Sequence, residues 1–257
     1  MSRLDIYLVE NGLVRSRSRA VHLIKTGQVR LNGSVTTKQS SSVRPGAQVE
    51  LLSTFQYVSR GGYKLEAVFR SAGLSCQGKR VLDVGCSTGG FSDFFLQNGA
   101  ASVVALDIAL DIIHPSLLKE QRLIFLPQTD IRDREDTARK LEGRSFDIIA
   151  TDVSNTPLEE VLAGAEPYLA QGGIFVALFK PPYEGGKGAV EEETALELAA
   201  GFQERVKERY HILARELSPI RGGSKGRGSR ELFFVLRPKT QADGNGKEVT
   251  NQNIHIE

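Results

Sequence analysis

Arg80-Val81-Leu82-Asp83-Val84-Gly85-Cys86-Ser87-Thr88-Gly89-Gly90-Phe91 decides the fold of this 257-residue chain. An apolar run of strand length enters a glycine-rich turn, and the residues beyond it read as a helix. The same order of strand, turn and helix recurs downstream. Strands are expected at 80–84, 102–107, 123–126, 146–151, 173–179, 212–217 and 232–236, with amphipathic helices between most of them, as at 191–209. Such alternation predicts an α/β domain, an open and mainly parallel sheet covered by helices on both faces. Ligands of such sheets bind beyond the C-terminal strand ends.

The glycine turn narrows the ligand. Its glycines permit positive φ and let a ligand approach the backbone closely. A dinucleotide site would carry G-x-G-x-x-G, but Ser87 stands at the second glycine position, where a pyrophosphate must touch the backbone, so NAD is disfavoured. The turn resembles the S-adenosylmethionine site of Rossmann-like class I methyltransferases. That resemblance puts Asp83 near the methionine amino group, Asp107 on the ribose hydroxyls and Asp130, followed by Ile131, at the adenine amino group. Gly85, Ser87, Gly89, Gly90, Phe91 and Asp152 complete the implied cofactor set. One aspartate at a strand end is as readily a loop cap, but three after successive strands argue for a common ligand. Cys86 is read as a small loop residue without chemistry.

The remaining strand ends carry Thr151-Asp152-Val153-Ser154, Phe179-Lys180-Pro181-Pro182-Tyr183-Glu184 and Ser229-Arg230-Glu231-Leu232, while Ser59-Arg60-Gly61-Gly62-Tyr63-Lys64 precedes the first strand. These segments resemble the Lys-Asp-Lys-Glu tetrad of FtsJ-class ribose 2′-O-methyltransferases, mapped onto Lys64, Asp152, Lys180 and Glu231. A ribose hydroxyl is a poor nucleophile at neutral pH and needs a base. A lysine, ordinarily near pKa 10.4, becomes one when burial and a neighbouring cation lower that value. The resemblance makes Lys180 the base and Lys64 its neighbour, with Asp152 and Glu231 holding the ammonium groups. A lone lysine is more often a surface cation, but Lys180 directly follows an apolar strand. Pro181-Pro182-Tyr183 also resembles the end of the Asn/Asp-Pro-Pro-Tyr signature of amino-group methyltransferases. Lys180 replaces its leading Asn or Asp, and an ammonium cannot accept a hydrogen bond from an NH₂, so base methylation ranks well behind.

The N-terminal region has a different character. The whole chain is nearly neutral at +2, but residues 1–60 hold nine Lys/Arg against three acids, a net of +6. Two short helices are expected, around Leu4 and Leu8 and then from Ser16 or Ser18 through Ile24, followed by short strands with turns at Asn32-Gly33 and Pro45-Gly46. S-R-S-R-A-V-H-L-I-K-T-G-Q-V-R-L-N-G-S-V-T-T-K closely resembles the S4 RNA-binding domain, a small α+β module. The resemblance implies RNA contacts from Arg3, Arg15, Arg17, Arg19, Lys25, Lys38 and Arg60. The expected organisation is an S4 domain at 1–58, a linker at 59–63, a methyltransferase domain at 64–237 and a flexible tail at 238–257.

Taken together, the S4-like start, Y-V-S-R-G-G-Y-K-L, L-D-V-G-C-S-T-G-G-F, F-K-P-P-Y-E and S-P-I-R-G-G closely resemble the TlyA, or hemolysin A, family along nearly the whole chain. Membership implies transfer of a methyl group from S-adenosylmethionine to a cytidine 2′-hydroxyl of ribosomal RNA, in a ribosomal subunit, with no obligate protein partner. Two positions depart from the family pattern. Asn155 replaces a usual aromatic, and 222–230 is longer and more basic than usual. The alternatives are a catalytically silent RNA-binding or assembly protein, which four intact tetrad residues oppose, and a pore-forming hemolysin. No apolar run approaches the ~18 residues of a membrane span, and the start of the chain lacks a signal-peptide core, so a cytoplasmic protein without membrane contact is expected. Cys76 and Cys86, the only cysteines, supply neither a disulfide framework nor a zinc site, and no metal is expected.

Overall fold

The computed structural model describes residues 2–14, 17–25, 27–52, 57–185, 188–223 and 228–239, without the side chains of Ser18, Arg19 and His22. The chain forms two compact units, Met1–Gln56 and Tyr57–Glu257. The expected tail, apart from Pro238 and Lys239, lies outside the described residues.

The first unit runs β1 (Ser2–Arg3), α1 (Leu4–Glu10), α2 (Arg17–Lys25), β2 (Val29–Leu31), β3 (Ser34–Val35), β4 (Ser42–Val43) and β5 (Val49–Leu51). Strands order β3-β2-β5 in one sheet, and β1 pairs with β4. Leu4 and Leu8 on α1 meet Ala20, Leu23 and Ile24 on α2, and Val29 and Val43 close this small core. Gly27 ends α2 at φ 72, while Asn32 and Gly33, at φ 51 and 79, make the tight turn between β2 and β3. Asp5 is buried in this unit, and Arg3 and Arg17 both bond its carboxylate at 3.0 Å. Chiefly through Arg3, these contacts hold the Asp5 carboxyl below the usual carboxylate range.

The second unit contains α3 (Arg60–Ser71), β6 (Arg80–Val84), α4 (Gly90–Gln97), β7 (Ser102–Leu106), β8 (Leu123–Leu126), α5 (Arg134–Leu141), β9 (Phe146–Thr151), α6 (Leu158–Ala165), β10 (Leu169–Phe179), α7 (Glu192–Val206), β11 (Tyr210–Leu217) and β12 (Leu232–Pro238). They build one seven-stranded sheet, ordered β11-β12-β10-β9-β6-β7-β8. Pairings from β10 through β8 are parallel, and β12 runs antiparallel to both β10 and β11. The expected doubly covered, mainly parallel sheet is the observed architecture. Period-2 alternation assigns the faces. Val81 joins Leu65, Phe69, Phe94 and Phe95 of α3 and α4, whereas Leu82 and Val84 join Val161, Leu162, Ala199 and Phe202 of α6 and α7.

Residues expected to form a linker at 59–63 are instead Ser59 and the first turn of α3. Their glycines explain the difference. A Cβ on Gly62 would lie 2.3 Å from the Tyr57 ring, and one on Gly90 would lie 3.1 Å from backbone atoms of Gly61 and Gly62. The start of α3 therefore packs against the start of α4 at a separation that side chains would prevent. Tyr57 is buried there, and Val58 donates its N–H to Asp93 at 2.6 Å.

Gly62→Ala should accordingly destabilise the second unit by about 1–3 kcal/mol through overpacking. Gly201→Ala, within α7 and with its nearest new contact at 3.6 Å, should raise stability by up to ~1 kcal/mol. Urea midpoints of the two variants should move in opposite directions.

Candidate active site

Strand register brings the sequence-predicted residues to one edge. β10 pairs with β12 through Phe179 and Leu232, so Lys180 and Glu231 occupy neighbouring positions just beyond that pair. β9 pairs with β6 through Thr151 and Val84, which sets Asp152 beside Gly85. The four tetrad residues form two ion pairs. Lys64, from α3, meets Glu231 at 2.5 Å, with both side chains under one tenth exposed. Lys180 meets Asp152 Oδ1 at 2.6 Å, the Asp152 carbonyl at 3.1 Å and Ser154 Oγ at 2.9 Å. Three acceptors match the three N–H donors of its ammonium. Ser154 is a site residue that sequence reasoning missed; it lies two residues past Asp152 in a loop with no motif of its own.

Next to Asp152 and Ser154, the partners of Lys180, lies a solvent-open cleft of about 200 Å³, lined among others by Gly85, Ser87, Asp107, Asp130, Ile131 and Asp152. Gly85 has φ 76, and a Cβ there would sit 3.3 Å from the Asp152 backbone. Ser87 adopts φ 50 and donates its N–H to Asp107 Oδ2 at 2.8 Å, while Ala109 donates to Asp107 Oδ1 at 2.9 Å. Asp107 thus shapes the turn as well as facing the cleft. Asp130 is gripped by Arg132, with Nη2 at 2.7 Å, and this partner holds its carboxyl below the usual range. Arg132 also lines the cleft, and nothing in a strand-end pattern points to it. Asn155, at φ 63, occupies a left-handed conformation that Asn tolerates, and it too faces the cleft.

Four expected cofactor residues are not on the cleft lining. Gly89 packs on Leu117, Gly90 on Ser59 and Gly61, and Phe91 is buried in the core beside Phe233. Gly90 and Phe91 lie in the first turn of α4, and Gly89 caps it. Asp83 is fully buried on the α4 face of the sheet, where Ser92 donates to Oδ2 at 2.6 Å and Oδ1 has no partner among the described residues. Burial, with the nearby Asp152 and Asp107 charges adding, pushes its carboxyl up to about 7 against the opposing Ser92 bond. Both cysteines are buried, and burial pushes both thiols up, away from thiolate chemistry.

Of the residues expected to bind RNA, Lys25 and Lys38 are exposed. Arg3 and Arg17 are committed to Asp5 on one edge of each guanidinium. Arg60 belongs to the second unit, where it donates to the Gly223 carbonyl at 2.9 Å. Arg15 and the Arg19 side chain lie outside the described residues.

The unit that carries this cleft and the two lysine–carboxylate pairs is an enzyme of the FtsJ-like methyltransferase class, whose family profile matches residues 57–238. An S4 domain profile matches residues 2–49. Over 252 residues the chain is 32% identical to the Mycobacterium tuberculosis protein named 16S/23S rRNA (cytidine-2′-O)-methyltransferase TlyA, covering 93% of this chain and 91% of that one. It is also 32% identical to Hemolysin A of Brachyspira hyodysenteriae, covering 91% of this chain and all of that protein. A Streptococcus thermophilus structure described as a candidate hemolysin superposes with a TM-score of 0.65 at 30% identity, over 93% of this chain and 89% of its own. The chain belongs to the TlyA family.

The raised Asp83 carboxyl has a measurable consequence. Its folded-state pKa exceeds the unfolded value, so its contribution to stability is complete below about pH 4 and is lost as pH rises toward 7. Asp83→Asn should therefore gain on the wild-type protein by about 1.4 kcal/mol per pH unit across that window. Unfolding midpoints measured from pH 4.5 to 7.5 check this; a constant difference between the two proteins would contradict the assignment.

Proposed function

We propose that this enzyme transfers a methyl group from S-adenosylmethionine to a cytidine 2′-hydroxyl of ribosomal RNA, with Lys180 as the base. The observation carrying this reading is the pair of ion pairs, Lys64–Glu231 and Lys180–Asp152, at one sheet edge beside the cleft. The residues present suit the cofactor. Gly85 leaves backbone open to the cleft, Asp107 presents a carboxylate to hydroxyls, and Asp130 and Ile131 form a polar and apolar wall for a base. Asp83 offers a buried oxygen without a partner among the described residues, one step behind the turn. When bound there, S-adenosylmethionine supplies an electrophilic methyl group.

The chain's own residues supply orientation and proton transfer. Lys180, once neutral, takes the hydroxyl proton, and Asp152 and Ser154 keep its nitrogen at the sheet edge. Glu231 fixes Lys64, whose stem crosses from α3, so that the second cation stays in place without needing solvent. In the first unit, exposed Lys25 and Lys38, with the outer edges of Arg3 and Arg17, form the RNA-docking cations, consistent with a ribosomal substrate and a cytoplasmic site of action. The hemolysin name of one relative finds no counterpart in the helices: among the described residues none is long and apolar enough to cross a membrane.

Lys180→Ala should lower methyl incorporation into ribosomal subunits by roughly 10²–10⁴-fold while leaving cofactor affinity close to wild type. Wild-type turnover in that variant would remove Lys180 from the mechanism. Replacing Lys25 and Lys38 together by Ala should reduce the log–log salt dependence of RNA binding by roughly 1.4–1.8. An unchanged slope would argue against docking through these cations.

A further inference from the structure

The segment that returns the chain from β11 to Glu231 is closed by a narrow neck. Ser218 donates to the Glu231 carbonyl at 2.9 Å, Gly222 to the Ser229 carbonyl at 3.1 Å and Gly228 to the Gly222 carbonyl at 2.9 Å. A Cβ on Gly222 would lie 2.4 Å from Glu231 Oε1, so the neck rests directly on the tetrad. Arg221 and Arg230 flank this neck and converge on one atom. Arg230 Nε lies 2.9 Å and Arg221 Nη2 3.2 Å from Glu192 Oε2, at the start of α7. From the start of α3, Arg60 donates to the Gly223 carbonyl of the neck.

Two guanidinium groups aimed at one oxygen are the arrangement that binds an oxyanion, and phosphate suits it better than a single carboxylate because it offers more acceptors and more charge. At Glu192 Oε2 itself the two guanidinium groups carry two positive charges against the one of the carboxylate, so the pair of arginines keeps charge to offer an anion. The Glu192 carboxylate is 43% exposed, and ion pairs of that kind contribute little, which makes it displaceable. Arg230 is also the residue immediately before Glu231. Every ribose in an RNA strand is flanked by phosphates, so a ribose seated at the tetrad brings one to this neck.

Resting on the methyltransferase reading above, we propose that Arg221 and Arg230 bind an RNA backbone phosphate beside the modified ribose, and that Glu192 fills this site in the free protein until the phosphate displaces it. The contact positions the ribose without reading sequence. Glu192 thereby acts as a built-in competitor that RNA must outbid, so its removal strengthens binding.

The sign of the Glu192 effect separates this from a merely structural pairing. Full-length protein is titrated with deproteinised ribosomal RNA between 50 and 200 mM salt. Glu192→Gln should tighten binding about fivefold, the effect of removing one charge about 4 Å from a phosphate in water. Arg221→Ala with Arg230→Ala should weaken binding and lower the salt slope by roughly 1.4–1.8, and Arg221→Ala alone by about half that. Cofactor affinity and thermal midpoint should be unchanged in Glu192→Gln. Binding that is weakened or unaltered in Glu192→Gln, or a salt slope untouched in both arginine variants, overturns the proposal. Methyl incorporation into ribosomal subunits by the wild-type protein is measured alongside. Its absence, with RNA binding still sensitive to Glu192, would sink the methyltransferase reading and leave the phosphate site standing.

Discussion

Lys64 and Glu231 come from elements 167 residues apart and meet 2.5 Å from each other with almost no solvent between them. Neither charge could be held there alone, because an unpaired charge at such a site costs several kcal/mol. The pair therefore imposes a condition on the whole second unit. Helix α3 must lie close enough for a lysine to reach the start of β12, and β12 must run antiparallel so that its first residue, not its last, stands at the sheet's C-terminal edge. The glycine contacts between α3 and α4 satisfy the first requirement, and the Phe179–Leu232 pairing satisfies the second.

The same edge concentrates acidic groups with unequal roles. Asp152 is paired with a lysine, Asp107 receives two backbone N–H groups and Asp130 is paired with an arginine. Asp83 has one hydroxyl donor and complete burial, which is why its carboxyl rises toward neutrality. Alternation along β6 turned that one side chain toward α4, away from the cleft that its neighbour Gly85 lines. The aspartates of a single motif set thus become a buried hydrogen-bonded carboxyl, a loop organiser and two ion-pair partners.

In the first unit charge serves packing as well as RNA docking. Asp5 gathers Arg3 and Arg17 at the junction of β1, α1 and α2, so part of the basic character that marks this region holds its own helices in place. Counting cations therefore overstates the groups available to phosphate. The same lesson applies at Arg60, which lies near the end of the basic segment in sequence but is bonded to the Gly223 carbonyl in the second unit.

Periodicity and turn chemistry, both local, determined much of this protein. Val81 through Val84 read as a buried strand, Gly85 and Gly89 as a turn with positive φ, Asn32-Gly33 as a hairpin, and Asp152, Lys180 and Glu231 as polar groups at strand ends. Those features depend on residues close in the chain, and a pattern of two or 3.6 residues records them. The tertiary structure alone decided what depends on distant partners. It turned the expected linker into the first turn of α3, because glycine contacts are formed between helices. It took Gly89, Gly90 and Phe91 out of the cleft and put Asp83 behind it, and it brought in Ser154 and Arg132. It also drew Glu192 onto Arg221 and Arg230 across 29 and 38 residues. Side-chain reach between separate elements leaves no periodic trace in a sequence, so charge pairing and burial became legible only once the sheet had set its register.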